Sequence, residues 1–305
     1  CSSDLNIPKE IGERIRASWD ADELSLYGRF DFILAKDGTP KILEFNADTP
    51  TSLLEASVIQ WQWKEDVFPE CDQFNGIHEG LVQSWKDIFP KKGEIYFAGA
   101  LENNEDTGTL QYLASTAMEA GFSTRVLDMQ ALDLQNGRFF DPAGELVNRC
   151  FKLYPWEWMV DESPDGCLAE MEWLEPIWKL VMSNKAILAT LYELFPDSPY
   201  VLPCYLSRPR SGLFCKKPVF SREGHNVSVV DIRNWEEHVR IAETEGDYNT
   251  GAYVYQEYVE PTAYSGRYPV IGSWIIGGEA AGIGIRENRM EVTDNLSEFV
   301  PHIIG

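Results

Sequence analysis

The chain has 305 residues, 44% hydrophobic and 12% aromatic, which is enough for a sizeable core in one large or two ordinary domains. Its 49 acidic residues outnumber 26 basic ones, and the formal charge of −23 repels nucleic acid and anionic lipid and favours cationic or amine partners. No apolar run approaches the roughly 18 residues of a membrane span, so we expect a cytoplasmic protein without a nucleic-acid or membrane partner.

A hairpin over residues 28–46 is the most informative pattern, and it follows a segment with helical spacing over residues 7–19. Alternating apolar residues predict two short strands, and Asp37 and Gly38 supply turn residues that tolerate positive φ. The strands are long enough for polar residues of one to meet polar residues of the other across the ladder.

The polar residues of this hairpin predict a magnesium site. A period of two puts Glu44 and Asn46 on one face, and the ladder brings Asp31 opposite them. Two carboxylates and an amide, without His or Cys, suit Mg²⁺, which shares its shell with waters and phosphates. Arg29 beside them would neutralise phosphate charge. The alternative is an amphipathic surface hairpin whose polar face is only solvated.

The segment after the hairpin predicts a helix over residues 49–63, with Thr49-Pro50-Thr51 at its N-cap. This helix start would face the polar end of the hairpin. An anion or a carboxylate bound there would meet the hydroxyls of Thr49 and Thr51 and free backbone N–H groups.

Residues 94–128 predict one βαβ unit. Its parts are a strand over 95–98, a loop over 102–108, a helix over 109–120 and a strand over 124–127. Because this loop lies at the carboxyl end of a strand, where α/β proteins bind ligands, Glu105 and Asp106 are candidate contacts for an amine. A solvated charge pair is the alternative. Beyond the unit we predict a strand over 146–153 and a mobile loop or boundary over 161–167.

The last third of the chain carries a second group of polar motifs. Asn184 and Lys185 precede a helix over 186–194, and a strand over 214–220 carries Lys217. The loop at 221–227 contains Gly224 and could lay backbone N–H groups on phosphate oxygens while the lysines add charge. The remaining predicted elements are a strand over 254–259, whose backbone could read an adenine, and paired strands over 271–276 and 280–285 that end at Arg286.

Cysteine, histidine and tryptophan give weaker signals. The six cysteines form no Cys-x-x-Cys pair and the four histidines lack metal spacing, so we expect reduced thiols. The ten tryptophans favour burial in a core, with stacking on sugars or bases as the alternative. Because apolar residues lead directly into a structured segment, the start at Cys1 indicates a fragment and not a processed lipoprotein.

Several of these motifs, in this order, resemble the synthetase region of the glutathionylspermidine synthase family, which has an ATP-grasp fold. The metal hairpin precedes the nucleotide lysines, and this permuted order is characteristic of that family. The motifs that carry the resemblance are Gly28-Arg29-Phe30-Asp31-Phe32, Glu44-Phe45-Asn46-Ala47-Asp48, Trp156-Glu157, Asn184-Lys185-Ala186-Ile187, Lys217-Pro218, Arg222, Gly224, Asn226, Tyr255-Gln256 and Gly284-Ile285-Arg286.

The resemblance implies ATP and two Mg²⁺ ions as cofactors. Asp31 and Glu44 would hold one Mg²⁺, and Glu44 and Asn46 a second. Arg29 and Arg286 would be catalytic, the first near the transferring phosphoryl group and the second near the tetrahedral oxyanion. The implied nucleotide-binding residues are Arg29, Lys185, Lys217, Arg222, Gly224, Asn226, Gln256, Glu257, Tyr258 and Val259.

The resemblance also implies a carboxylate substrate, such as the peptide glutathione, and a polyamine-like amine. Thr49 and Thr51 take the place of a Ser-x-Ser pair that helps to bind glutathione, and Lys152 lies in a later substrate motif. Glu298 falls near an acidic residue that meets the polyamine. The chain departs from the family pattern at Leu153, which lacks a hydroxyl, and over 105–108. The resemblance therefore implies a carboxylate and an amine as substrate classes, but not glutathione and spermidine as the particular pair.

The implied enzyme is an ATP-dependent ligase that forms an amide through an acyl phosphate, without the amidase half of the bifunctional enzyme. The expected fold is mixed α/β, an ATP-grasp fold with an inserted small βαβ domain. We expect catalytic parts over 1–90 and 151–305, the latter with the nucleotide site and lid, around a substrate-side domain over 91–150. The alternatives are an inactive ATP-binding or peptide-binding protein with this fold, and an acidic domain with a Trp-rich carbohydrate surface.

Overall fold

The structure is a computed structural model that describes residues 7–222, 224–233, 236–246, 251–289 and 297–305, without the side chains of 237–242. Cys1 and Glu223, a residue of the predicted loop at 221–227, lie outside the described residues. The strands are β1 (Tyr27–Leu34), β2 (Pro40–Asn46), β3 (Glu94–Gly99), β4 (Ser123–Asp128), β5 (Asp133–Gln135), β6 (Arg138–Phe140), β7 (Leu146–Val147), β8 (Arg149–Leu153), β9 (Glu172–Leu174), β10 (Cys204–Tyr205), β11 (Gly212–Pro218), β12 (Ser228–Arg233), β13 (Glu236–Glu243), β14 (Tyr253–Glu257), β15 (Tyr268–Ile276), β16 (Glu279–Asn288) and β17 (Glu298–Val300). The α-helices are α1 (Lys9–Asp20), α2 (Gln60–Val67), α3 (Ile77–Ile88), α4 (Asn104–Glu119), α5 (Trp156–Glu162), α6 (Pro164–Cys167), α7 (Lys179–Ser183) and α8 (Ile187–Leu194).

The predicted hairpin is confirmed as β1 and β2, within an antiparallel sheet of order β17-β16-β15-β1-β2. Gly38 has a φ of +82°, which the turn requires, and Asp31 pairs directly with Glu44. A Cβ at Gly28 would lie 2.8 Å from the Phe45 ring, so glycine is needed where this ring crosses β1. The predicted C-terminal strand pair is also confirmed, as β15 and β16 with a glycine turn between them.

The predicted βαβ unit is confirmed as β3, α4 and β4 in a parallel sheet of order β4-β3-β8-β9. Successive side chains of β3 point to opposite faces of the sheet and join two separate hydrophobic clusters. Ile95 and Phe97 pack with α3 and α4 on one face, while Tyr96 and Ala98 pack with α1 and α5 on the other. Burial of these faces is the main stabilising contribution to the fold. The sheet includes β9 beyond residue 150, and the predicted division into 1–90, 91–150 and 151–305 stays a prediction.

A second antiparallel sheet has the order β10-β14-β11-β12-β13 and carries the motifs of the last third of the chain. Helix α8 packs on it through Leu188 and Ala189, which contact Cys204 and Val254. Because Lys217 lies on β11 and Gln256 on β14, neighbouring strands present these two side chains together. The predicted helix after Lys185 and the strand around Lys217 are confirmed within a few residues.

Two predicted helix boundaries were wrong, because long-range contacts override the local signals. After the hairpin, the helix begins at residue 53, and a π-helical turn over Glu55–Ile59 leads into α2. Thr49 is therefore no N-cap: its hydroxyl accepts a hydrogen bond from Arg222, and Ser52 has a φ of +63°. Of the predicted loop over 102–108, residues 104–108 instead begin α4, and Asn103 is its N-cap.

Two other segments also differ from their predicted structure. The strand expected over 146–153 is divided at Asn148 into β7 and β8, which join different sheets. The segment 161–167, expected to be a mobile loop or boundary, contains the end of α5 and all of α6. Its Cys167 is buried in the core, which fixes the segment in place.

A buried ion pair anchors the end of β2 to the parallel sheet. The Lys152 ammonium lies 2.7 Å from Asp48 Oδ1, and neither side chain exceeds 1% exposure. Asp48 Oδ2 also accepts the backbone N–H of Trp156, and Lys152 donates to the carbonyl of Tyr154. Burial lowers the pKa of Lys152, and the charge of Asp48 opposes this shift. Removing one partner would leave an uncompensated buried charge.

Lys152→Met should therefore destabilise the protein by about 3–5 kcal/mol, because Asp48 loses its counter-charge in a dry site. Urea unfolding followed by circular dichroism measures this loss. Lys9→Met is the matched control, because its pair with Glu13 is exposed, and it should leave the unfolding midpoint unchanged. Equal midpoints for the two variants would contradict a buried, stabilising pair.

Candidate active site

One cleft collects most of the predicted site residues. It lies between the hairpin sheet, the second antiparallel sheet and the carboxyl ends of β3 and β8. The predicted residues that line it are Arg29, Asp31, Glu44, Asn46, Thr49, Thr51, Glu105, Asp106, Lys185, Lys217, Arg222, Gly224, Gln256, Glu257, Tyr258, Val259 and Arg286. The sequence motifs from both ends of the chain therefore form one site.

Asp31 is the most heavily bonded acidic group in this cleft. Arg29 contacts both of its oxygens, with Nε 2.6 Å from Oδ1 and Nη2 3.0 Å from Oδ2. Arg286 Nη2 lies 2.7 Å from Oδ2, and Asn46 Nδ2 donates to the same oxygen at 3.2 Å. Since Asp31 is only 3% exposed, these contacts compensate for the loss of its hydration.

Glu44 faces the cations of the second sheet. Its Oε2 lies 3.0 Å from Lys185 Nζ, and its Oε1 accepts from Asn46. Burial would raise the pKa of Glu44, but the charges of Lys185 and Lys217 outweigh burial and lower the pKa to about 2. Glu44 is thus a carboxylate, and a source of negative oxygen ligands, throughout the physiological range.

The two arginines of the site have opposite pKa shifts. Burial acts against the charged form of Arg29, but Asp31 outweighs it and raises the pKa. The pKa of Arg286 is lowered, first by the charge of Arg29 and then by burial. Four cations, Arg29, Lys185, Lys217 and Arg286, thus surround two carboxylates. This local excess of positive charge around Asp31 and Glu44 attracts a polyanion such as a nucleoside triphosphate.

Lys217 and Gln256 connect the second sheet to the hairpin. Lys217 Nζ donates to Gln256 Oε1 at 2.7 Å and to the Leu43 carbonyl at 3.2 Å. Gln256 Nε2 donates to the Ile42 carbonyl at 2.9 Å. Both side chains are nearly buried, so they fix the position of the second sheet relative to β2.

Arg222 connects the loop after β11 to the wall of the cleft. Its Nη1 donates to Thr49 Oγ1 at 2.6 Å, and its Nη2 lies 2.5 Å from Glu157 Oε1. Gly224 has a φ of +70° and lines the cleft, as a loop close to phosphate requires. Asn226 does not line it; its Nδ2 donates to the Gly246 carbonyl and holds the loop instead.

The opposite end of the cleft is acidic and aromatic. Glu105 and Asp106 lie in the first turn of α4, where the helix dipole favours acidic residues. Tyr154 and Trp158 also line the cleft, and their rings meet edge to face at 5.4 Å. Trp158 remains 39% exposed, in contrast to the fully buried Trp156. A cationic group would find both carboxylates and an aromatic face here.

Two predicted substrate-binding residues lie outside the cleft. Lys152 is completely buried in its pair with Asp48, one residue before Leu153, which does line the cleft. Glu298 lies on β17 and pairs with Arg267 at 2.8 Å. Their predicted roles in binding a substrate stay predictions.

Sequence reasoning did not assign roles to several residues that build this site. Glu157 holds Arg222, and no group among the described residues donates a hydrogen bond to its buried Oε2. Trp158 is the partly exposed aromatic residue in the acidic and aromatic part of the cleft. The remaining residues that line the cleft and were not assigned to it include Ile33, Leu43, Leu202, Cys215, Val227, Pro261 and Val270. These apolar side chains suit a flat, uncharged ring. Their sequence pattern is that of any buried strand, so it gave no signal of a binding site.

The donor set fits magnesium. Asp31, Glu44 and Asn46 offer hard oxygens on one face of the hairpin, directly beside Lys185 and Lys217. Within the described part of the chain, no group of three or more His, Cys, Asp or Glu side chains could hold a metal ion without other ligands. A small set of protein oxygens is what a Mg²⁺ ion uses when phosphates and waters complete its shell.

Comparison with known proteins identifies relatives of this chain. Residues 1–305 match the family described as "Glutathionylspermidine synthase preATP-grasp". A Haemophilus influenzae protein named an acid–amine ligase is 39% identical over 94% of this chain and 77% of its own length. Trypanothione synthetase of Crithidia fasciculata is 28% identical over 97% of this chain and 50% of its own.

The Escherichia coli bifunctional glutathionylspermidine synthetase/amidase is 27% identical over 98% of this chain. The chain spans about half the length of this relative and of the trypanothione synthetase, at 53% and 50%. These relatives are named as a ligase and as synthetases.

Solved structures confirm the predicted mixed α/β fold of ATP-grasp type. A structure described as a gamma-glutamylcysteine synthetase from Methylobacillus flagellatus has a TM-score of 0.60 and 9% identity, covering 96% of this chain and 84% of its own. A glutathione synthetase-like effector from Globodera pallida has a TM-score of 0.56 and 11% identity, covering 98% and 88%. At these identities the likeness shows the fold alone. Among the described residues, the chain has no helix of the length and hydropathy that a membrane span needs.

The lowered pKa of Glu44 gives a pH-dependent contribution to stability. The pKa falls from 4.5 to about 2 on folding, so the contribution is complete above 4.5 and disappears as the pH falls towards 2. Its size is at most about 3 kcal/mol. The free energy of unfolding of Glu44→Gln should therefore vary less between pH 5 and pH 2 than that of the native protein. Urea unfolding at each pH measures this free energy. An equal change for the variant and the native protein between pH 5 and pH 2 would contradict a lowered pKa of Glu44.

Proposed function

The chain belongs to the glutathionylspermidine synthase preATP-grasp family, and on this basis we propose that it is an ATP- and Mg²⁺-dependent ligase that joins a carboxylate to an amine. The observation that carries the proposal is the cleft itself, in which four cations surround the carboxylates of Asp31 and Glu44. That arrangement suits a metal–triphosphate complex better than a neutral ligand, because the four cations outnumber the two carboxylates that they compensate.

The proposed nucleotide lies between the hairpin and the second sheet. Its adenine would contact the backbone over Gln256, Glu257, Tyr258 and Val259 and the apolar wall of the cleft. Its phosphates would reach Lys185 and Lys217 and the loop at Gly224. The support for this placement is that the cations and the apolar residues line adjacent parts of one cleft.

The proposed metal site consists of Asp31, Glu44 and Asn46, with two Mg²⁺ ions sharing Glu44. When bound, the metal neutralises phosphate charge and orients the γ-phosphoryl group for transfer. The protein contributes fixed oxygens. Because Asp31 is held by Arg29 and Arg286, it presents its lone pairs in set directions.

In the proposed reaction, a carboxylate oxygen of the substrate attacks the γ-phosphorus of ATP, and ADP leaves. The amine nitrogen then attacks the carbonyl carbon of the acyl phosphate. The C–O bond to phosphate breaks, a proton leaves the nitrogen, and the products are an amide and inorganic phosphate. Arg29 would stabilise charge on the transferring phosphoryl group, and Arg286 the oxyanion at the carbonyl carbon.

The two substrates would enter at the acidic and aromatic end. The carboxylate would lie near Thr49 and Thr51, on the side of the arginines. The amine, which carries positive charge before it reacts, would lie near Glu105 and Asp106. A glutathione-like peptide carries the carboxylate, and a polyamine-like amine carries the positive charge, that these two positions would bind. The names of the relatives suggest the same two kinds of substrate.

The decisive test is ADP release from Mg-ATP across a panel of thiol peptides and polyamines. A ligase releases ADP in proportion to amide, only when both substrates are present. Tight Mg-ATP binding by calorimetry, with no ADP release stimulated by any acceptor, would instead favour an inactive nucleotide-binding protein.

Arg286→Ala should lower kcat at least about 100-fold, because the variant loses charge stabilisation in the transition state. Its affinity for ATP should change little, since other cations bind the phosphates. Arg138→Ala is the control, because this arginine pairs with the exposed Glu170 and does not line the cleft. Steady-state kinetics with near-native kcat for Arg286→Ala would refute the proposed role.

Trp158→Ala should raise KM for the amine roughly threefold to tenfold, because a partly exposed cation–π contact contributes about 0.5–1 kcal/mol and some packing is lost as well. KM for ATP should stay the same. Trp61→Ala is the control, because this residue is equally exposed on α2 and does not line the cleft. A change in KM for ATP alone would place the amine elsewhere.

A further inference from the structure

A buried lysine outside the cleft bridges the two strands of the hairpin. Lys179 lies at the start of α7, and its side chain is 3% exposed. Its Nζ donates to the carbonyls of Tyr27 and Ala47, each at 2.9 Å. Tyr27 is the first residue of β1, and Ala47 directly follows β2. One ammonium therefore closes the open end of the hairpin, opposite its turn.

The bridge is adjacent to the proposed metal ligands. Arg29 is two residues beyond Tyr27, and it pairs across the ladder with Asn46, the residue before Ala47. Because both strands are extended, a change in their spacing at the bridge would be transmitted to the facing side chains within one or two residues. Lys179 itself does not line the cleft.

Glu175 supports this bridge and is completely buried. Its Oε2 lies 3.3 Å from Lys179 Nζ, so Glu175 supplies the counter-charge of the buried ammonium. Glu175 Oε1 also accepts the backbone N–H groups of Leu26 and Tyr27, at 3.0 and 3.2 Å. The pair therefore holds the start of β1 by its N–H groups as well as by its carbonyl.

This arrangement is more than a general stabilising contact. A buried ion pair contributes little net stability compared with an apolar pair of similar volume. Here the bonds of the pair end on backbone groups at the entrance of β1 and the exit of β2. Their direct effect is to fix the distance between two strands that carry the metal oxygens.

We propose that Lys179, backed by Glu175, is a positioning residue that sets the spacing of Asp31 and Glu44 for a metal–nucleotide complex. The inference rests on the proposed function, because it takes the hairpin to hold the metal. It makes a separate prediction: loss of the bridge should impair metal binding and phosphoryl transfer while sparing the nucleotide contacts of the second sheet.

The test uses Lys179→Met, which keeps most of the side-chain length and removes the donor. Mn²⁺ affinity at saturating β,γ-imido-ATP is measured by electron paramagnetic resonance, and nucleotide affinity in EDTA by calorimetry. We expect Mn²⁺ affinity to fall at least tenfold and kcat to fall at least tenfold. Nucleotide affinity in EDTA should change less than threefold, because the second sheet is untouched.

Lys64→Met is the matched control, since Lys64 is also a buried lysine, 5% exposed and paired with Glu65 on α2. It should lower thermal stability without changing Mn²⁺ affinity. Glu175→Gln provides a second variant if Lys179→Met does not fold: it keeps an oxygen for the N–H groups and removes the counter-charge, and should weaken Mn²⁺ binding at least threefold.

Native Mn²⁺ affinity in each variant of the Lys179–Glu175 pair that folds would overturn the proposal. Equal weakening of Mn²⁺ and nucleotide binding would also overturn it, because that pattern indicates general loss of structure. If the native protein bound nucleotide in EDTA but no Mn²⁺, the proposed metal site would fail before the variants were compared. The two failures are thereby distinguished.

Discussion

The pairing of Asp31 with Glu44 across the hairpin is the constraint on which the site depends. Two carboxylates held this close in a nearly buried position repel each other and lose hydration. The structure compensates with Arg29, Arg286 and Lys185, which reach them from different elements. The acidic pair is therefore compensated by residues from both ends of the chain, so the site depends on the whole sheet.

The buried anchors behind the hairpin serve the same constraint. The pair of Lys152 and Asp48 fixes the end of β2 to the parallel sheet, and the pair of Lys179 and Glu175 fixes its distance from β1. Lys217 then joins β2 to the second sheet through a backbone carbonyl. Each anchor holds a group in β2 or within two residues of its end, which suits a site that must hold reacting groups within a fraction of an ångström.

Local patterns were sufficient to predict the hairpin, its turn and its register, because strand alternation and the Gly38 turn determine them within about twenty residues. They failed where distant groups compete. Thr49 was predicted as an N-cap, but its hydroxyl accepts a hydrogen bond from the distant Arg222. Glu157 gave no local signal, because its partner is also Arg222. Most of the candidate site was predictable from motif order; its anchors and its apolar wall were not, because these depend on contacts between distant segments.

In the proposed reaction, the substrate carboxylate is activated as an acyl phosphate in this cleft. Ligation of a carboxylate labelled with ¹⁸O, followed by mass spectrometry of the released phosphate, tests this step. Because the C–O bond breaks when the amine attacks, an oxygen of the carboxylate leaves with phosphorus, and labelled phosphate should form in step with the amide. Amide formed with unlabelled phosphate would contradict it.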